Sequence, residues 1–167
     1  MIDTLRILVS WKCNLHCSYC SNEQERFRKD IHPTTLDAIK WDRYKVFCVS
    51  GGEPLLNFGL VKQVCERIPQ GVPIILYTNG ILLGREVANK CVSLGITAVN
   101  VGLHYPESFK RIISNVTLAT KDTSLSVRFH AQDVYQFDLT QNHPTTVFRF
   151  WRLDDCDRDN EHRVVLI

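Results

Sequence analysis

Cys13, Cys17 and Cys20 stand in the order Cys-Asn-Leu-His-Cys-Ser-Tyr-Cys, directly after an apolar, strand-like run from Leu5 to Trp11. Three thiolates set so close together share one centre, so this loop is built to grip a metal or a metal cluster. Three protein ligands rather than four leave one metal position open, and an open position is where a small molecule can bind and react. His16 lies inside the same loop and could instead complete a three-cysteine, one-histidine zinc site. Cys48, Cys65, Cys91 and Cys156 are widely separated among apolar or helical neighbours and are expected to behave as small buried hydrophobes.

Such a loop has to be held by regular structure. Runs rich in Val, Ile and aromatics recur at Leu5 to Trp11, Lys45 to Ser50, Pro73 to Thr78, Ala98 to His104, Leu125 to Gln132 and Thr146 to Leu153, and read as strands. Helix-like stretches cover Thr34 to Trp41, Gly59 to Ile68, Arg85 to Leu94 and Ser108 to Lys121, with Gly95 placed to stop the third. Residues 133–144 carry no clear period, and Val164 to Ile167 could form one more short strand. Strand and helix alternate, so the expected class is α/β with a mostly parallel sheet. A complete eight-unit barrel takes about 250 residues, roughly 31 per unit. The 167 residues therefore supply five to six units, a partial (β/α)6 barrel open along one side, read as one domain over residues 1–167.

Strand five supports a lumen. Ser126, Arg128, His130 and Gln132 share one face, while Leu125, Val127, Phe129 and Ala131 share the other. Strand four repeats the pattern with Asn100, Gly102 and His104 against Val99, Val101 and Leu103. Polar punctuation follows the ends of five strands: the cysteine loop, Gly51-Gly52-Glu53-Pro54, Thr78-Asn79-Gly80, His104-Tyr105-Pro106 and Gln132-Asp133. In βα folds the active site is built at that carboxyl edge.

Composition narrows the function classes. Lys and Arg number 20 against 18 Asp and Glu, which gives no broad basic field, so nucleic acid is not indicated. The longest apolar stretches fall far below the ~20 residues of a membrane span. Met-Ile-Asp-Thr has no basic segment leading into a long apolar run, so the sequence predicts no signal peptide, and a reducing cytoplasm for its seven cysteines. The acidic run 154–161 superficially suggests a calcium loop, but it lacks the glycine and terminal glutamate of one and reads as a solvated charge run.

CxxxCxxC after the first strand, with Tyr19 before the third cysteine and Gly51-Gly52-Glu53-Pro54 after the second strand, resembles the radical S-adenosylmethionine (radical SAM) superfamily. The likeness is clearest over residues 5–105. It implies an oxygen-sensitive 4Fe-4S cluster on Cys13, Cys17 and Cys20, with the amino and carboxylate groups of S-adenosylmethionine on the fourth iron. Reductive cleavage would then give a 5′-deoxyadenosyl radical that abstracts hydrogen from a substrate. Gly51 and Gly52 would let the backbone approach the methionine moiety, and Glu53, biased to an extended conformation by Pro54, would accept from its ammonium group. Tyr19 would flank the cluster and adenine. Thr78, Asn79 and Asn100 are candidates for polar contacts with S-adenosylmethionine, and Arg128 for its carboxylate or ribose; His104 and His130 are candidates for substrate binding or proton transfer.

The context of the cysteines looks most like the branch that modifies peptides, proteins and some cofactors. Only Cys156 lies in the last third, so one cluster is expected. A glycyl-radical enzyme activase and a non-enzymatic zinc or iron–sulfur binding module stand as alternatives. The family also implies an external electron donor of the flavodoxin or ferredoxin type. An open-sided barrel shields a carbon radical poorly, so a bulky substrate or a partner protein is expected to close it.

Overall fold

The structure is a computed structural model and describes residues 3–20, 22, 31, 33–151 and 163–167. Seven strands make one open, wholly parallel sheet: β1 (Thr4–Leu8), β2 (Val46–Ser50), β3 (Ile74–Thr78), β4 (Ile96–Gly102), β5 (Ser126–Gln132), β6 (Phe148–Trp151) and β7 (Arg163–Leu166). Their order across the sheet is β6-β5-β4-β3-β2-β1-β7. Six strands therefore follow the simple order of a barrel wall, and β6 and β7 are its two unjoined edges. β7 pairs with β1, Leu5 opposite Arg163 and Leu8 opposite Leu166, instead of extending the wall beyond β6.

Among the described residues four α-helices connect the strands: α1 (Phe58–Cys65), α2 (Arg85–Ser93), α3 (Phe109–Thr120) and α4 (Gln136–Asn142). α3 shows why they lie against the sheet. It buries Phe109, Ile112, Ile113, Val116, Ala119 and Thr120, a stripe at helical spacing, and turns the side chains between them outward. That stripe and the helix-facing residues of the strands, among them Ile7, Phe47, Val49, Leu76, Val99 and Val101, all fully buried, belong to one hydrophobic core. Burial on this scale stabilises by about 1.5–3 kcal/mol per large apolar side chain. Gly95, with φ +79°, ends α2 in the left-handed conformation expected of it.

On β5, Phe129 and Ala131 are buried under the helices, while His130 and Gln132 face the opposite side, as the alternation required. Cys48, Cys65 and Cys91 are buried as expected. Cys156 and the acidic run 154–161 lie outside the described residues.

Residues 34–41 depart from expectation. They form two 3-10 turns, Leu36–Ala38 and Trp41–Arg43, with Ile39 extended between them. The indole N–H of Trp41 donates to the Leu36 carbonyl at 3.2 Å, occupying the acceptor that a continuing helix would use for Lys40. Thr34 N–H bonds the Leu166 carbonyl at 2.8 Å, which draws the segment toward β7. Residues 133–144, which had no readable period, become a 3-10 turn followed by α4, whose one buried residue is Leu139.

Candidate functional site

The strand pairing of β1 with β2 continues past both strands. Val9 N–H donates to Ser50 O (3.0 Å), Gly52 N–H to Ser10 O (2.7 Å) and Glu53 N–H to Lys12 O (2.8 Å). The cysteine loop and the Gly51–Pro54 segment are thus one hydrogen-bonded ribbon. The glycines are needed for this contact: a Cβ on Gly51 would run into the Ser10 carbonyl and one on Gly52 into that of Lys12, and Gly51 also holds φ +134°. Asn22 locks the ribbon further, its amide donating to Gly51 O at 2.7 Å.

Glu53 lies behind this ribbon, fully buried. Its backbone is extended, as Pro54 predisposes, but its carboxylate is turned inward. Oε1 accepts from Leu55 N–H (3.0 Å) and Thr78 Oγ1 (2.8 Å), and Oε2 accepts from Asn79 N–H (2.8 Å). Burial holds the carboxyl above its ordinary pKa, and the three hydrogen bonds counter this only in part. The residue clasps the end of β3 to the start of the next segment, and neither it nor Pro54 lines the cleft.

Asn79 carries the clasp on to the thiols. Its side-chain amide donates to Asn14 Oδ1 at 2.6 Å and stands 4.0 Å from Cys13 Sγ, while its own Oδ1 accepts from Ile81 N–H at 3.1 Å. The backbone N–H of Leu15 reaches the same sulfur at 3.4 Å. Burial pushes the Cys13 and Cys17 thiols above their ordinary pKa, with repulsion from the neighbouring cysteines adding to it.

Cys13, Cys17 and Cys20, all partly exposed, open onto one cleft of about 290 Å³ at the carboxyl ends of the strands. Tyr19, Gly51, Gly52, Thr78, Asn79, Asn100, His104 and His130 share its wall, whereas Gln132 and Asp133 at the end of β5 do not. Arg128 lies on the same face of the sheet, in register with Asn100, but is exposed and does not line the cleft. Tyr19 roofs the cleft: its hydroxyl donates to the His104 carbonyl (3.2 Å) and stands 3.1 Å from His104 Nδ1, and its ring lies 5.5 Å from that of Trp151 on β6. Burial raises the Tyr19 pKa and lowers that of His104, so both are neutral near pH 7.

The three thiols suit an iron–sulfur cluster. They are soft donors, half-sheltered, and their loop supplies N–H groups toward sulfur.

Sequence reasoning missed Arg6, Tyr77, Arg149 and Trp151. Arg6 projects from β1 into the cleft, its guanidinium 4.7 Å from the centre of the Tyr77 ring. Arg149 is in register with His130 and faces the same side, but like Arg128 it is exposed and does not line the cleft. The signal was present: Arg6 interrupts an apolar strand, and Arg149 alternates with Phe148 and Phe150.

A sequence profile of the radical SAM superfamily matches residues 7–124. Among curated proteins, the chain is 38% identical over 125 residues to a probable GTP 3′,8-cyclase of Methanocaldococcus jannaschii, covering 66% of this chain and 40% of that protein. It is 38% identical over 114 residues to the GTP 3′,8-cyclase of Clostridium perfringens (61% and 34%), and 35% identical over 140 residues to a probable GTP 3′,8-cyclase of Methanococcus aeolicus (75% and 46%). The chain thus matches less than half the length of each of these relatives.

Proposed function

From the premise that the chain belongs to the radical SAM superfamily, whose enzymes use a 4Fe-4S cluster and S-adenosylmethionine, we propose that it abstracts hydrogen from a bulky, anionic substrate held beneath the cysteine loop. The observation that carries this reading is the convergence of three thiols and the Gly51–Gly52 backbone on one cleft that Arg6 also lines. Cys13, Cys17 and Cys20 would hold the cluster. When bound, the cluster supplies the electron that splits S-adenosylmethionine to a 5′-deoxyadenosyl radical. An external donor of the flavodoxin or ferredoxin type would deliver that electron.

The chain's own residues position and shield. The backbone of Gly51 and Gly52 and the amide of Asn100 offer polar contacts to S-adenosylmethionine. Tyr19, braced by His104 and Trp151, excludes water from above. Glu53 and Asn79 keep the two loops in register. Arg6, which lines the cleft, supplies positive charge where a phosphate-bearing substrate would seat. A nucleotide is the class suggested by the relatives, which are named for GTP. A peptide or protein is the second reading, favoured by the open side between β6 and β7. Nothing in the comparisons favours a glycyl-radical activase.

The test is anaerobic reconstitution followed by iron and sulfide analysis and by assay of 5′-deoxyadenosine after chemical reduction. About four irons per chain are expected, with 5′-deoxyadenosine formation raised by GTP and absent from the Cys13→Ala, Cys17→Ala, Cys20→Ala triple variant. A zinc-loaded protein, or a cluster that never cleaves S-adenosylmethionine, would refute the proposal.

A further inference from the structure

The imidazole of His104 is held at both of its nitrogens. Tyr19 brings one hydroxyl to two atoms of this residue, the carbonyl oxygen at 3.2 Å and Nδ1 at 3.1 Å. That hydroxyl has a single proton and a carbonyl can only accept, so the proton lies toward the carbonyl and the phenol oxygen turns a lone pair to the ring. Cys17 also bonds this hydroxyl and, as a ligand thiolate, competes for the same proton. Nδ1 must then carry the hydrogen, which leaves Nε2 bare. Burial keeps the imidazole neutral near pH 7, so no second proton covers it. At the other end of the ring, Gly102 gives Nε2 its seat. A β-carbon on residue 102 would stand 2.5 Å from Nε2, nearer than to any other atom of the ring. The missing side chain is what lets the imidazole fold back over the end of β4. Gly102 and His104 both line the cleft. Nε2 of His104 has no hydrogen-bond partner among the described residues and, unlike Nε2 of His130, keeps contact with solvent.

We propose that Tyr19 and Gly102 fix His104 as its Nδ1–H tautomer, and that the bare Nε2 is the acceptor for a hydroxyl or amino hydrogen of a nucleoside bound in the cleft. The inference rests on the reading that this cleft receives S-adenosylmethionine and a nucleotide. An acceptor held in this way selects among orientations. A ligand donor placed over Gly102 gains a bond, whereas a carbonyl or phosphate oxygen in the same place meets a lone pair and is repelled. His104 touches the ligand, and Tyr19 and Gly102 are positioning residues that act through it.

Nitrogen NMR of protein labelled in its histidine rings, reconstituted without oxygen and kept in the oxidised, spin-paired state of the cluster, reads the tautomer directly. A protonated ring nitrogen and a bare one resonate far apart, and His104→Gln identifies the pair by its loss. The ligand-free wild type should show Nδ1 protonated and Nε2 bare, the reverse of the tautomer that free histidine favours. Tyr19→Phe removes the acceptor at Nδ1 and should shift the tautomer ratio toward Nε2–H about fivefold, the worth of one ordinary hydrogen bond. Gly102→Ala should displace the ring and shift the ratio in the same direction with Tyr19 intact. S-adenosylmethionine alone and GTP alone are the two ligand arms. The one whose donor reaches His104 should move the Nε2 resonance toward the protonated position while Nδ1 keeps its hydrogen. A protonated Nε2 in the ligand-free wild type, a tautomer ratio unchanged in both variants, or binding of both ligands with the Nε2 resonance unmoved would overturn the proposal. The ligand-free tautomer needs no cleavage of S-adenosylmethionine, so absence of 5′-deoxyadenosine formation with Nε2 bare and responsive to ligand would strike the proposed function and not this assignment.

Discussion

Replacing Glu53 tests whether the signature carboxylate acts as a clasp inside the protein. Glu53→Ala strands three buried donors, the N–H groups of Leu55 and Asn79 and the hydroxyl of Thr78. Each unpaired buried donor costs about 1–3 kcal/mol. Relief from burying a carboxylate offsets part of that, leaving an expected loss of about 3–5 kcal/mol, a large share of the ~5–15 kcal/mol typical of a domain. Glu53→Gln keeps an oxygen for the two donors at Oε1 but turns an NH₂ group toward Asn79 N–H, so the expected loss is about 1–3 kcal/mol. Because burial raises the folded-state pKa of Glu53, the native protein binds more protons than the unfolded chain between the two pKa values. That contribution is full below the unfolded pKa and is lost as pH rises through the folded one. Glu53→Gln lacks it, so the gap between wild type and this variant should narrow with rising pH. Urea unfolding followed by tryptophan fluorescence from pH 4 to 8 measures both effects. Glu53→Ala within about 1 kcal/mol of wild type, or Glu53→Gln less stable than Glu53→Ala, would refute the clasp.

Gly52→Ala should push the cysteine loop off the Lys12 carbonyl, with a loss of about 1–3 kcal/mol and a clear drop in iron retained after reconstitution; full iron content would contradict the loop contact. Tyr19→Phe should cost about 1 kcal/mol by leaving His104 short of a partner while keeping the ring against Trp151, whereas Tyr19→Ala should cost clearly more, as thermal unfolding would show. Asn79→Ala removes the amide beside Cys13 Sγ and should lower the cluster's reduction potential measurably in a redox titration monitored by electron paramagnetic resonance; an unchanged potential would remove Asn79 from that role.

Local signals in the sequence were reliable where one element decides its own form. The alternation in Ser126–Gln132 marked both faces of β5, and Gly95 ended α2 where its left-handed conformation is required. Failures arose where a distant partner decided. Trp41 takes the Leu36 carbonyl only because of how its ring is oriented, and this breaks an otherwise plausible helix. β7 was visible as a short apolar run, but its place beside β1 depends on residues from the other end of the chain. At the site, chemistry-bearing types were easy to see and their direction was not. Glu53 points inward because Thr78 and Asn79 supply donors there, and Arg128 is less enclosed than Arg6 because it lies toward the open edge. Nothing in a linear reading separates these three charged residues.

The pairing of β7 with β1 bears on the order of events during synthesis. The thiols at the tip of β1 leave the ribosome long before residues 163–167 exist. Until those residues arrive, β1 has β2 on one side and an unpaired edge on the other. Contacts between such remote segments form late, since the chain between them must first be drawn together. Cluster delivery during translation would therefore meet a loop already held from the ends of β2, β3 and β4, by the bonds to Ser10, Lys12, Asn14 and Tyr19, while the outer edge of β1 is still unpaired. Delivery after release would meet the same loop with β1 fixed on both sides by Ile167 N–H on Leu8 O.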